Sequence, residues 1–326
     1  MSVLVTGGAG FIGANLCRAL LAEGHRVHAV DNLITGVRGN VQPLLWNPLF
    51  SFHEMDIVDA SVIDAFQGER IDYIYHLACP TGVPNLVVLA EEMLKTCSLG
   101  TIHVLELARK HGSRVLLTSS AEAYGDPQEF PQREDYTGNV DPIGPRSAYE
   151  EGKRFSEACV ATYVRKYGVS AVIVRIFNTY GPGMSLDDTR VIPQFLRNVR
   201  DKKPFKIYGD GSQTRTHLFV DDLVNGLRVV MEKGRAGEVY NTGGNTSMSI
   251  RALAELVISL TGHEAGINFQ PHFIHDHAGR CPSTEKVREL GWEQHVSLED
   301  GLRRMLAVCL PTLVTSSAVT LEKSTR

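Results

Sequence analysis

A chain of 326 residues with 43% hydrophobic and 21% charged residues is an ordinary globular mixture, long enough for one large α/β unit or two modest domains. The net charge of −4 excludes a chain-wide basic excess for nucleic acid or an anionic membrane, so any phosphate must be met by local groups. Six scattered cysteines (Cys17, Cys79, Cys97, Cys159, Cys281, Cys309) without a CxxC pair read as reduced thiols of a cytoplasmic protein. No apolar run approaches the roughly 20 residues of a membrane span, and a first strand starting at Ser2 leaves no room for a signal peptide.

In chain order, "SVLVT" (2–6) predicts a short buried strand that runs into glycines. A helical period follows over 11–23, then a strand at 26–30 ("RVHAV"). Further strands are expected at 71–78, 113–120 and 169–177, with helices between them at 89–111 and 147–167. Continuous apolar strands alternating with helices predict an α/β fold, a Rossmann-type doubly wound parallel sheet. After residue 178 the pattern turns irregular and turn-rich, before "THLFVDDLVNGLRVVM" returns to strand and helix and two more helices follow at 249–262 and 297–309. The expected division is a dinucleotide-binding domain over 1–177, with 214–246 returning to it, and a smaller interleaved substrate region over 178–213 and 247–310. The tail 311–326 opens with Pro and is small and polar, so a flexible end is expected there.

"VTGGAGFIG" places Gly7, Gly10 and Gly13 at three-residue spacing between a strand and a helix. The glycines permit a tight turn, close approach of a pyrophosphate to the backbone, and close helix–strand packing; the helix N-terminus then faces the phosphates with partial positive charge. The second strand leads into Asp31, whose carboxylate would bind ribose hydroxyls and repel a 2′-phosphate, favouring NAD over NADP. The same cofactor reading takes in Phe11 and Ile12 at the helix start, Asn32 beside Asp31, Asp56 and Ile57 as adenine contacts, and Leu77 and Ala78 at the next strand end. The bland alternative is a structural glycine turn followed by a helix-capping Asp; the ordered context of strand, loop, helix, strand and acid outweighs it.

"SAYEEGKR" puts Tyr149 and Lys153 four residues apart, on one helix face. A free phenol, with a pKa of about 10, is a poor base at neutral pH, and a neighbouring ammonium would lower that value. Tyr149 would then take a proton from a sugar hydroxyl, and Lys153 would also hold the nicotinamide ribose. Alone, an exposed Tyr–Lys pair on a solvated helix is the better reading; the glycine loop upstream reverses that order.

Together with "HLACP" (76–80), "GNVDPIGPRSAYEEGKR" (138–154), "RIFNTYGP" (175–182) and "YGDGSQTR" (208–215), these motifs resemble the extended short-chain dehydrogenase/reductase family over the chain to about residue 308, and within it most nearly the UDP-glucuronate decarboxylases. The resemblance implies transient oxidation of a sugar C4 hydroxyl by NAD, loss of CO₂ from C5, and return of the hydride with no net use of cofactor. It implies Tyr149 as base, Lys153 as its partner, Ser120 on the C4 oxygen and Glu122 as the carboxylate handling protons near C5. Pro80, Asn178, Arg215 and Arg280 would meet substrate, Asn178 and Arg215 at the diphosphate and Arg280 near C5–C6. It also implies a homodimer built on the helices at 89–111 and 147–167, whose stripes (Leu94, Leu105, Ala108; Phe155, Ala158, Tyr163) otherwise read as core.

The chain departs from the family pattern at four places. Ala121 stands where a Ser or Thr precedes the glutamate, removing a hydrogen bond to a charged group worth about 1.5–3 kcal/mol. Leu86 stands near an expected tyrosine, Cys97 in place of an asparagine, and Ser283 in place of an aspartate. Two further reactions therefore stay open: a C5–C6 dehydratase acting on a nucleotide sugar or nucleoside-like sugar, and a C4 epimerase. From a different class, a non-catalytic NAD-binding sensor is also consistent with a changed site. "PHFIHDHAG" brings His272, His275 and His277 near Asp276; no metal is expected there, since the redox reading needs none.

Overall fold

The computed structural model describes residues 1–271 and 279–311, so the histidine cluster at 272–277 and the tail beyond 311 lie outside the described residues. Seven parallel strands form the central sheet: β1 (Ser2–Thr6), β2 (Arg26–Asp31), β3 (Phe50–Glu54), β4 (Tyr73–His76), β5 (Arg114–Ser120), β6 (Ala171–Ile176) and β7 (Val239–Thr242). Their spatial order is β7-β6-β5-β4-β1-β2-β3. The order reverses at β1, which pairs with both β2 and β4. At such a switch point the connections leave in opposite directions, and a crevice opens beyond the carboxyl ends of the strands.

The apolar strand runs have a simple cause. Side chains alternate between faces. Val3, Val5 and Leu116 enter one buried cluster, while Leu4, Val115 and Leu117 enter the other. Both faces are covered, so neither needs polar residues. Helix α1 (Phe11–Ala22) follows the glycine loop and buries Leu16, Cys17, Leu20 and Leu21. Helix α2 (Thr101–His111) ends on Gly112 and α3 (Ser147–Tyr167) on Gly168, both with φ near +67° as a left-handed cap requires (φ +66° and +68°). Helix α4 (Val220–Lys233) leads by way of Gly237 into β7 at the sheet edge. Smaller pairings lie outside the sheet: 179–180 with 218–219, 205–208 with 267–270, and 214–216 between 247–249 and 279–280. Phe195, Phe205, Leu253 and Val257 belong to the same buried cluster as Val3 and Leu116, so the later part of the chain shares one core with the sheet.

The expected single helix over 89–111 is broken. It resolves into short helical pieces at 85–88 and 90–95, a π turn over Thr96–Gly100, and then α2. The wider turn presents Thr96 to the cleft and turns Cys97 against α3. Two glycines permit the fit: a Cβ on Gly100 would stand 2.7 Å from the Ile57 side chain, and one on Gly152 would stand 3.3 Å from Cys97 Sγ. Period alone could not show this, because an inserted residue leaves hydrophobic spacing nearly intact over one turn. Leu105 and Ala108 are core residues, whereas Leu94 and Phe155 are exposed.

One charged pair ties α3 to the sheet just below the crevice. Arg175 on β6 donates from Nη2 to Glu157 Oε2 (2.7 Å) and from Nε to Oε1 (2.9 Å); the Ser119 hydroxyl donates to the same Oε1 (2.5 Å). Both charged side chains are mostly buried, and the Arg175 guanidinium also lies 4.5 Å from the Tyr124 ring centre. Removing one member of such a pair leaves the other charge desolvated. Glu157→Leu is expected to cost about 3 kcal/mol of stability. Urea denaturation of the variant against the wild-type chain measures this; an unchanged midpoint would show that Arg175 is satisfied without Glu157.

Candidate active site

A cleft of about 370 Å³ runs along the carboxyl ends of β1, β2, β4, β5 and β6. Its floor at one end is the glycine loop. The Gly7 N–H donates to the Val30 carbonyl (2.8 Å), and the Gly10 N–H donates to the Gly7 carbonyl (3.1 Å). Gly7 has φ +70°, and a Cβ there would stand 2.8 Å from the Ala78 nitrogen; a Cβ on Gly13 would stand 2.1 Å from the Gly7 oxygen. The loop is thus bare backbone by necessity, and α1 opens directly beyond it, which is the cradle a dinucleotide diphosphate needs.

Asp31 closes β2 at the same end. Its carboxylate accepts from the Ala9 N–H (3.0 Å) and the Leu33 N–H (2.8 Å). Burial raises its pKa above the usual carboxylate range, opposed by those backbone donors. The carboxylate is oriented by the backbone while still lining the cleft, as ribose hydroxyls would require. Asn32 donates to Asp56 (3.0 Å), and Asp56 in turn accepts from the Val58 N–H (2.8 Å). Phe11, Ile12, Ile57, Leu77 and Ala78 complete this half. The residues present fit a dinucleotide.

The other half gathers Ser120, Glu122, Tyr149 and Lys153. Ser120 is the last residue of β5, and its hydroxyl accepts from the Glu122 N–H (3.2 Å), capping the single turn Ala121–Tyr124. Tyr149 and Lys153 come from the first turns of α3, with the Lys153 ammonium 5.8 Å from the Tyr149 ring centre. Lys153 donates to the Thr118 carbonyl (3.0 Å). Burial works against the ammonium, but Cys79, Tyr149 and Cys97 outweigh it and hold its pKa above the ordinary lysine value. The lowered phenol pKa expected for Tyr149 is not found in the protein alone. Burial raises it, and Lys153 opposes that only in part, with smaller help from Ser120. Desolvating a phenolate costs more than one cation at this distance returns.

Glu122 is clamped. Its Oε2 accepts from Arg146 Nη2 (2.6 Å) and Arg280 Nη2 (2.8 Å). Arg146 also donates from Nε to Glu150 (3.0 Å). Arg280 is 6% exposed and its Nη1 has no hydrogen-bond partner among the described residues, an orphaned donor on a group that lines the cleft. Such a donor is costly unless something accepts from it.

Of the candidate cofactor, catalytic and substrate residues named from the sequence, Arg215 alone stands apart. It sits on the short strand 214–216, in register with Arg280, and does not line the cleft of the described residues, whereas Pro80, Asn178 and Arg280 do. Sequence reasoning missed Arg146 and the wall formed by Met184, Ser185, Asp188 and Arg190. Arg146 lies three residues before Tyr149, close enough that one helix turn carries both; nothing in the spacing names Glu122 as its partner. Leu86 and Ala121 both line the cleft, while Ser283 is buried behind it. Among the described residues no group of three or more His, Cys, Asp or Glu side chains could hold a metal ion. No helix among them is long and apolar enough to cross a membrane.

Comparison with known proteins places these features in context. Residues 3–243 match the model of the NAD dependent epimerase/dehydratase family. UDP-glucuronic acid decarboxylase 1 of Arabidopsis thaliana is 42% identical over 308 residues, covering 94% of this chain and 69% of that protein. The UDP-glucuronic acid decarboxylase 1 of Danio rerio is 40% identical over 305 residues, 93% of this chain and 71% of that one. Among solved structures, UDP-glucose 4-epimerase of Thermotoga maritima superimposes with TM-score 0.88 at 31% identity, covering 96% of this chain and 100% of that chain. A dTDP-glucose 4,6-dehydratase of Streptomyces venezuelae, solved with NAD bound, has TM-score 0.84 at 31% identity, covering 94% of this chain and 96% of that chain.

Burial, helped by the Glu122 charge, raises the Glu150 carboxyl pKa, and Arg146, with a smaller part from Arg280, opposes it. A carboxyl whose folded pKa lies above its unfolded value, about 4.3 for Glu, costs stability at neutral pH and ceases to do so as it protonates. Arg146→Met should therefore be destabilised by about 2 kcal/mol at pH 7, discounted for partial exposure. Its deficit against wild type should shrink as pH falls toward about 4.5. Thermal melts across that range test it; a deficit that stays constant with pH would remove Glu150 from the account.

Proposed function

The chain belongs to the NAD dependent epimerase/dehydratase family, and from that premise we propose that it is an NAD-dependent lyase of the UDP-glucuronate decarboxylase type. Bound NAD would supply the hydride acceptor and donor for C4, held by the glycine loop, Asp31 and Lys153. Tyr149 removes and returns the proton of the C4 hydroxyl, and Ser120 hydrogen-bonds the same oxygen. A C4 ketone makes the C5 carboxylate a β-keto acid, so CO₂ can leave with its bonding electrons remaining at C5. Glu122, positioned by two arginines, delivers the proton that C5 then requires. The net reaction releases CO₂ and consumes no cofactor.

The observation that carries this reading is Arg280. Its Nη2 is spent on Glu122, and its buried Nη1 has no partner among the described residues beside the cleft. A sugar carboxylate at C6 would supply the missing acceptor, and would do so although Ala121 lacks the hydroxyl of the family pattern. Relatives at 40–42% identity bearing the decarboxylase name support the same substrate class. Ala121 favours a second reading, C5–C6 dehydration of a sugar whose C6 carries a hydroxyl: that neutral group needs no anion-holding donor from position 121, and Glu122 would take the C5 proton and pass it to the departing oxygen so that water leaves. A homodimer fits the exposed Leu94, Leu99 and Phe155 on the two helical segments named above, and the cytoplasm fits the free thiols.

Incubation with UDP-glucuronate and NAD, followed by mass spectrometry of the nucleotide sugars, is expected to yield a product lighter by one CO₂. If UDP-glucuronate is unchanged while a 6-hydroxyl nucleotide sugar loses water, the dehydratase reading replaces it. In either case Tyr149→Phe should lose roughly 10²–10⁴ in kcat, the usual weight of a general base. Lys153→Met removes the cation that opposes the raised phenol pKa, so the rising limb of its pH–rate profile should move to higher pH. A nucleotide sugar turned over at full rate by Tyr149→Phe would exclude the phenol as base.

A further inference from the structure

We infer that Cys79 and Cys97 form an oxidisable dithiol at the edge of the cleft, closing to a disulfide when a peroxide reaches it. Their sulfurs lie 3.6 Å apart. The two come from separate parts of the fold: Cys79 from the loop after β4, Cys97 from the π turn. Cys79 lines the cleft, and Cys97 sits directly behind it, 2% exposed. All six cysteines are free, and among the described residues no other two share a sulfur–sulfur contact of this kind.

The surroundings favour reaction. The hydrogen bond from Cys79 and the Lys153 ammonium hold the Cys97 thiol below its ordinary range, while Cys79, as the donor, is pushed up. One proton is in effect shared between two sulfurs beside a buried cation, the arrangement that keeps a thiolate available at neutral pH. A disulfide needs a separation of about 2.0 Å, so the sulfurs must approach by about 1.5 Å from where they stand. Cys79 is on a loop and not on a strand, which is where such a shift costs least.

The chemistry balances with peroxide as the oxidant. As the cleft-facing Cys79 sulfur attacks one peroxide oxygen, its proton passes to the Cys97 thiolate that it hydrogen-bonds. An S–O bond forms, the O–O bond breaks, and the departing hydroxide takes the Cys97 proton to become water. The Cys97 thiolate then attacks the Cys79 sulfur; the S–S bond forms, the S–O bond breaks, and the second hydroxide leaves as water after taking a proton from solvent. Each sulfur loses one electron and each peroxide oxygen gains one.

Closure would reach the Tyr149–Lys153 pair. A disulfide removes the anionic sulfur that faces Lys153. It also draws on the π turn, which abuts α3 at Gly152, between Tyr149 and Lys153. The dithiol is therefore a modification site wired to the reactive half of the cleft.

The test is a thiol map. The full chain is treated with stoichiometric hydrogen peroxide, denatured, alkylated with N-ethylmaleimide, digested and analysed by mass spectrometry. The expected result is loss of two of the six alkylatable thiols, a linked peptide pairing Cys79 with Cys97, and full recovery after dithiothreitol. In Cys97→Asn the linked peptide should vanish and Cys79 should instead be trapped by dimedone as the sulfenic acid. The inference is overturned if all six thiols still alkylate, if Cys17, Cys159, Cys281 or Cys309 is oxidised first, or if Cys79 and Cys97 do not link to each other. Should the variant fail to fold, the wild-type map decides alone. No substrate enters this readout, so its outcome is separate from that of the decarboxylase reading.

Discussion

A cation buried at the carboxyl end of a parallel sheet has to be compensated from every side, and Lys153 organises this molecule around that demand. Its ammonium donates to the Thr118 carbonyl at the end of β5, faces the Tyr149 phenol, and lies near two thiols. Tyr149 apart, which shares α3 with Lys153, these partners come from three separate elements: the carboxyl end of β5, the loop after β4, and the π turn before α2. Satisfying one charge therefore fixes how α3 docks on the sheet. The close approach at Gly152 and Cys97 is the steric side of the same constraint. Below it, the Glu157–Arg175 pair and the Ser119 hydroxyl hold α3 against β5 and β6. The helix that carries the Tyr149 phenol is thus located by electrostatics as much as by apolar burial.

The second charged cluster works differently. Glu122 is not a freely rotating carboxylate. Two arginines hold one of its oxygens, and one of those arginines keeps a buried donor with no partner among the described residues. A cluster of this kind is costly in the free protein and becomes favourable when an acceptor fills the vacant donor. It also changes the meaning of Ala121. With Arg280 available to a substrate anion, the missing hydroxyl subtracts one contact from a group that has another charged partner within reach.

The glycine loop, the Asp31 position and the order of the first strands were legible because each depends on local rules: bare backbone at a turn, an acid at a strand end, apolar runs where both faces are covered. Gly7, Gly13 and Asp31 stand at the turn, the helix start and the strand end that their spacing implied. The π turn at 96–100 was not legible, because a single extra residue hardly disturbs hydrophobic period. Arg146 was not legible as a partner of Glu122, because 24 residues separate them and only the docking of α3 on β5 brings them together. Arg215 illustrates the reverse: its motif drew attention to the correct sheet, yet its neighbour in register, Arg280, is the one that reaches the cleft.

The amino-acid sequence by itself determined the α/β architecture, the dinucleotide cradle and the pairing of Tyr149 with Lys153, since all three are set by residues close together in the chain. Only the tertiary structure decided the state of those groups. Burial raises the Tyr149 phenol instead of lowering it, two distant arginines hold Glu122, and Cys79 meets Cys97 across 18 residues. Desolvation and long-range charge depend on what packs around a group, and no local pattern carries that information.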